Sequence, residues 1–317
     1  MSNQVTTTTN QGIAQKPNFG LYMQSTNVRN SIDRALQDPK KRDRYIAAIT
    51  SAVVNTPALQ ECDFSSIVTA SLVGEALNLS PSPQLGQYYM VPFKSKAKYD
   101  RQGNLIAPAS TKAQFVLGYK GFTQLAIRSG RYKHINVVAI KKGELIRFDP
   151  LTEEIEVNLI MDDTERENTE TTGYYAMFEY TNGFRKAMYW SKEKMLAHAD
   201  KYSRAFSAQA YKDLQDGKIP EKDMWKYSSF WYKDFDGMAF KTMLRQLISK
   251  WGVMSTEMQM AYSNDGAVIA RDGTPIFDDP EPTVPQYTPR QAEPMAESAP
   301  KQRNIDAEFR EVSLNDI

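Results

Sequence analysis

The chain has 317 residues, 41% hydrophobic and 24% charged, and its 39 basic and 38 acidic residues leave a net charge of +1. That length admits one large domain or two modest ones with a full core. The single cysteine, Cys62, excludes an intramolecular disulfide and points to a reducing compartment. No charged and apolar leader opens the chain, whose start from Ser2 to Gln11 is polar, and no run reaches the length of a membrane span. The expectation is a cytoplasmic protein with no membrane partner.

Residues 1–24 read as a disordered head, rich in Thr, Gln and Asn. Thr26 is placed to cap a short helix over Val28–Leu36, and Pro39 starts a second that runs to Pro57. Asp63 is a good N-cap for a third, in which Ile67, Val68, Leu72 and Leu77 recur at helical spacing. Pro81 and Pro83 close this helical region. Strand signals follow at Gln87–Phe93 and Ala113–Tyr119, joined by a long basic loop, and then a helix over Gly121–Ile127 that Gly130 ends. Further strands are expected at Ile135–Lys141, Glu144–Phe148, Ile155–Leu159, Tyr174–Tyr180 and Phe184–Trp190, the last two joined by the hairpin signal Asn182-Gly183. From Ser191 to Trp251 the chain reads as helical. From Asn264 it carries seven of the sixteen prolines and little apolar content, so residues 264–317 read as a disordered, Pro-rich acidic tail. The body is then 25–263, of α+β class.

The near-neutral total hides strong segregation. Residues 84–148 hold twelve Lys/Arg against Asp100 and Glu144, a local charge of +10, interleaved with nine aromatics. Residues 149–170 carry a net −8, and the segment from Asn264 a net −6. Cations beside flat rings suit single-stranded nucleic acid, whose phosphates need neutralising and whose bases can stack. A solvated basic face over ordinary core aromatics is the alternative, and composition does not separate the two.

Several chemistries can be set aside on pattern. No G-x-x-x-x-G-K-[S/T] string occurs, so ATP hydrolysis through a phosphate-binding loop is not expected. Two histidines, His134 and His198, and one cysteine give no zinc-ligand spacing. The acids Glu153, Glu154, Glu156, Asp162 and Asp163 are the one candidate for a metal-dependent nuclease on single-stranded DNA, but no adjacent E-x-K completes that pattern. Near the end of the body, Asp234, Met238, Lys241 and Arg245 step by four, three and four, which places them in one helical stripe. Phe240, Leu244, Leu247, Ile248 and Trp251 form its apolar counterpart. The cations of that stripe either meet phosphates, oriented by Asp234, or form a surface ion-pair ladder worth little.

These strings together resemble the RecT family of phage single-strand annealing proteins. The matching segments are Pro57 to Asp63, Leu77-Asn78-Leu79-Ser80-Pro81, Gln87 to Phe93, Gln114 to Gly130, and Trp231 through Asp234, Met238, Lys241-Thr242 and Arg245. They span about residues 45–255. Asn78 stands where the family more usually has Gly, a departure expected to touch a helix end rather than binding. The resemblance implies a small antiparallel β-sheet core packed by a long helix that bounds a positive groove. It implies ATP-independent binding of single-stranded DNA and annealing to a duplex in homologous recombination, by a ring or helical filament of the chain itself. A partner exonuclease, and a host single-strand binding protein, are the implied partners. No cofactor, metal or catalytic residue is expected. Under this reading Lys112, Lys120, Arg128, Lys241 and Arg245 meet phosphates, with Thr242 beside them, and Tyr119 or Phe122 packs on the strand. Gly118 and Gly121 either admit a phosphate to the backbone or simply turn the chain.

Overall fold

The computed structural model describes residues 18–95, 97–203 and 205–277, with backbone alone at Lys98 and Ala107. Expectations placed on residues 1–17 and 278–317, most of the disordered head and of the acidic tail, lie outside the described residues.

Four helices open the described chain: α1 (Phe19–Gln24), α2 (Thr26–Ala35), α3 (Pro39–Asn55) and α4 (Phe64–Ala76). The third starts at the proline expected, with the Asp38 carboxylate accepting the Lys40 N–H, and α4 starts where the Asp63 side chain accepts the Ser65 N–H. Both satisfy amides that a helix start leaves without partners. Asn78, just past α4, has φ +51°, the left-handed conformation that ends helices. Gly is the easiest residue there and Asn the next, which explains the substitution noted in the sequence.

Strands β1 (Tyr88–Ser95) and β4 (Ser110–Leu117) pair antiparallel from Tyr88↔Leu117 to Ser95↔Ser110. The connection between them is not a plain loop. It folds into a small hairpin of β2 (Lys98–Tyr99) and β3 (Leu105–Ala107), whose turn is held by Asp100 accepting from the Gln102 and Asn104 N–H groups. Alternation along β4 buries Ala113, Phe115 and Leu117, against which α4 packs. The approach is close: a Cβ on Gly74 of α4 would lie 2.3 Å from the Tyr88 ring.

After β4 come α5 (Tyr119–Arg128), β5 (Tyr132–Lys141), β6 (Leu145–Phe148), β7 (Ile155–Val157), α6 (Asp163–Asn168), β8 (Thr171–Tyr180) and β9 (Arg185–Ser191). Strands β5, β8 and β9 form a three-stranded antiparallel sheet in that order, and β6 pairs with β7. Gly130 (φ +67°) and Gly183 (φ +87°) occupy the turns assigned to them. The chain then runs through α7 (Lys192–Tyr202), α8 (Ala208–Gln215), α9 (Phe230–Lys233), α10 (Phe235–Trp251) and α11 (Thr256–Asn264). The long helix α10 lies across β5, β8 and β9, burying Phe235, Ala239, Met243, Leu244, Leu247 and Ile248. Trp251, expected in that apolar stripe, is instead 52% exposed, as the last residue of the helix. Apolar side chains of this size contribute roughly 1.5–3 kcal/mol each when buried, so α10 is a main fastening of the fold.

The α+β class with small antiparallel sheets under a long helix is therefore the architecture observed, with two sheets sharing the core rather than one. The boundaries differ from those expected. Residues 18–24 lie within or beside α1, and the segment after Asn264 forms β10 (Ala267–Ile269) and β11 (Pro275–Ile276). Strand β10 is fully buried and pairs with β4, completing the sheet order β1-β4-β10-β11. Among the described residues no helix is long and apolar enough to cross a membrane.

Candidate nucleic-acid interface

The Gly118–Gly130 string forms the seam between the two sheets. It leaves β4, turns at Gly118 and becomes α5, which packs on α10. The two glycines of the turn are required by the protein itself: a Cβ on Gly118 would sit 2.1 Å from the Gly86 carbonyl oxygen, and one on Gly121 2.1 Å from that of Gln87. The backbone they admit belongs to the segment entering β1, which decides between the two roles left open for them.

Tyr119 is half-buried, with its ring edge-on to Phe240 of α10 at 5.5 Å. Lys120 is exposed, its ammonium 6.0 Å from the Tyr119 ring centroid. The first turn of α5 has no side-chain cap, because Gly118 occupies the N-cap position. Lys112 lies half-buried on the other face of β4, opposite Phe93. Between α5 and α10 runs a narrow cleft lined by Tyr89, Gly118, Tyr119, Phe230, Met238 and Lys241.

The remaining candidate residues are engaged within the protein. Phe122 is 1% exposed and belongs to the core, as the helical spacing of Phe122, Leu125 and Ala126 permits. Thr242 is buried as well. The Arg128 guanidinium donates to the carbonyls of Leu77 (2.5 Å) and Asn78 (3.2 Å), closing the C-terminal end of α4 where a cation is favoured. Lys241 and Arg245 do share one face of α10, but both reach inward to Asp265, at 2.7 Å and 2.6 Å. The Arg245 guanidinium carbon also lies over the Tyr262 ring, 4.0 Å from its centroid. Burial pushes the Lys241 ammonium pKa down, against the opposing pull of Asp265. Asp234, expected to orient these cations, instead caps α10 by accepting the Gly237 N–H at 2.9 Å.

Asp265 is the residue that the sequence reading missed. It is buried, and besides the two cations its Oδ1 accepts the Leu117 N–H at 2.9 Å. The signal was the Asp265-Gly266 turn followed by the apolar run Ala267-Val268-Ile269, a short strand pattern overshadowed by the prolines beyond it. Gly266 (φ +83°) makes the turn and donates its N–H to the Phe115 carbonyl.

The acids of 149–170 do not converge. Glu153 pairs with Lys186 and accepts the Ala187 N–H, and Asp162 caps α6. Arg166 of the same segment is held by fully buried Glu144 at 2.6 Å. Burial raises the Glu144 carboxyl, but Arg166 and the N–H groups of Lys141 and Ile160 outweigh it and hold the pKa below the usual range. Among the described residues no three His, Cys, Asp or Glu side chains come together as metal ligands.

The sequence pattern of the RecT family matches residues 43–282. The uncharacterized protein YqaK of Bacillus subtilis (strain 168) is 37% identical over 223 residues, covering 70% of this chain and 63% of that protein. Protein RecT of Escherichia coli (strain K12) is 25% identical over 244 residues, covering 77% of this chain and 78% of that one. The aligned part of the chain thus spans a little under two thirds of YqaK.

Proposed function

The chain belongs to the RecT family, and on that premise we propose that it binds single-stranded DNA and anneals complementary strands in recombination, without ATP and as an oligomer on the DNA. The observation that supports this best is Lys120, an exposed cation in the uncapped first turn of α5, beside the ring of Tyr119. A helix start without a side-chain cap and with an adjacent ammonium suits a phosphate, and the partly exposed ring offers a base a surface to rest on. Lys112 and Tyr119 are the other contacts of this reading. Lys241, Arg245 and Arg128 act one step back in it, fixing α10, β10 and α4 so that the seam keeps its shape. Annealing needs no covalent step: the protein screens two polyanions while leaving base edges free to pair. A partner exonuclease that exposes the strand belongs to the same reading.

The test is binding and annealing of labelled complementary oligonucleotides by Lys120→Ala, without nucleotide and with magnesium. We expect weaker binding with the same unfolding midpoint, and a salt dependence shallower by about 0.7 in log–log slope, the contribution of one phosphate contact on a single strand. Unchanged binding and annealing would overturn the assignment of Lys120. Shortening of the labelled strands would instead favour the nuclease reading.

A further inference from the structure

Helix α7 has two chemically distinct faces. Glu193, Asp200 and Lys192 line a cleft against α8 together with Glu170 and Lys212. Lys194, His198 and Lys201 step by four and three along another face, and Tyr202 follows His198 by four. On this second face every cation is set against a ring. The Lys194 ammonium lies 4.6 Å from the Trp190 ring centroid, and that of Lys201 lies 5.1 Å from the Tyr202 ring. The His198 imidazole sits between those two rings, at 5.2 and 4.6 Å.

The C-terminal end of α10 extends the same line. Trp251 carries the Lys186 ammonium at 3.9 Å, and exposed Lys250 stands close enough to His198 and Lys194 to disfavour protonation of both. Lys194, Lys201 and Lys250 are exposed, and none has a carboxylate within ion-pair distance among the described residues. Tyr202 is 38% exposed and Trp251 52%. Among the described residues these cations therefore repel one another without a paired carboxylate. A polyanion supplies the counter-charge, and exposed rings at intervals give its bases something to stack on.

We infer that this α7–Trp251 face is a second contact surface for single-stranded nucleic acid, separate from the α5 seam. The two surfaces stand on different parts of one sheet: α7 packs on β8 and β9, and α5 on the edge strand β5. The inference deepens the proposed annealing function and rests on it.

The experiment uses the full chain and a fluorescent oligo(dT), which cannot pair with itself, titrated over a range of salt. Lys201→Ala with Lys250→Ala is expected to weaken binding at least about fivefold and lower the salt slope by about 1.4, two single-strand contacts. Tyr202→Ala is expected to weaken it about tenfold, within the range for a lost stack. Arginine at 201 and 250 is expected to restore the slope. An oligonucleotide carrying 5-bromouracil should photo-crosslink to Tyr202 or Trp251. Unchanged affinity and slope overturn the inference, and so does a change confined to sedimentation, which would mark the face as a contact between copies. Loss of binding in Lys120→Ala alone sinks this surface and leaves the α5 seam. Loss in the α7 variants alone does the reverse.

Discussion

Asp265 and Lys241 meet at 2.7 Å in a part of the fold where the aspartate side chain is 4% exposed and the lysine 12%. Arg245 takes the second carboxylate oxygen and the Leu117 N–H shares the first, so one side chain ties α10, β4 and the start of β10. Removing one partner of such a cluster leaves charge buried without compensation, which typically costs about 3–5 kcal/mol. Asp265→Ala is accordingly expected to lower the stability read from urea unfolding by roughly that amount. Loss of less than about 1 kcal/mol would mean the cluster behaves as a surface pair.

The same residue relocates the end of the folded body. A chain cut after Asn264 loses Asp265, β10 and β11, whereas a chain cut after Phe277 keeps them. Limited proteolysis and circular dichroism should find the longer form folded and the shorter one unfolded or strongly destabilised. The longer form should retain annealing. Equal folding of both forms would show that β10 is dispensable.

Two aromatics three positions apart in α5 should respond oppositely. Phe122 is 1% exposed, and its replacement by Ala should cost about 3–5 kcal/mol of stability, as large-to-small changes in a core do. Tyr119 is half-buried at the surface seam, so Tyr119→Phe should leave stability nearly intact. Removing its ring with Ala should weaken binding to oligo(dT) by on the order of 1–3 kcal/mol if a base rests on it. If Phe122→Ala were as stable as the parent chain, the core placement of α5 would be wrong.

Asn78→Gly should stabilise the protein, by a few tenths of a kcal/mol to about 1 kcal/mol, because the left-handed backbone at φ +51° suits Gly better than Asn. The gain is offset in part by the extra freedom Gly gives the unfolded chain. The change in denaturation midpoint measures the balance, and a marked fall would show that the Asn78 side chain matters more than its backbone.

His198 makes the fold sensitive to mild acid. Burial, reinforced by Lys201, Lys250 and Lys194, brings its pKa down to about 4 from the ordinary 6.5. Between those values the unfolded chain binds the proton more readily than the folded one, so stability rises with pH across this window. The contribution is fully present above about 6.5 and is lost as the pH falls toward about 4. Thermal midpoints measured over that range should fall less steeply in His198→Gln. Parallel curves for the two proteins would exclude His198 as the source.

Much of the architecture is legible in the sequence. Pro39 and Asp63 start helices because a missing N–H and a capping carboxylate act within one turn of chain. Gly130 and Gly183 make their turns for an equally local reason, the positive φ that Gly alone adopts freely. The cation stripe of α10 was legible as a stripe. Its destination was not, because Asp265 lies 20 residues beyond Arg245, at the head of a proline-rich segment. The α7 face is hidden in the sequence for a similar reason: its rings and charges come from β9, α7 and the end of α10, and no single window of sequence holds them together.

By itself, then, the sequence determined what depends on neighbours along the chain: the helix starts, the turns, the alternation of the strands, the segregation of charge, and the motif strings that carry the family likeness. Only the tertiary structure decided which cations face water. A lysine on an amphipathic helix reads the same whether a phosphate or an aspartate waits opposite. Lys120 was left exposed by the turn at Gly118, while Lys241 and Arg245 were drawn inward by the Asp265 carboxylate in the turn before β10. That choice is made by long-range pairing and desolvation, which couple residues far apart in sequence and leave no periodic trace in it.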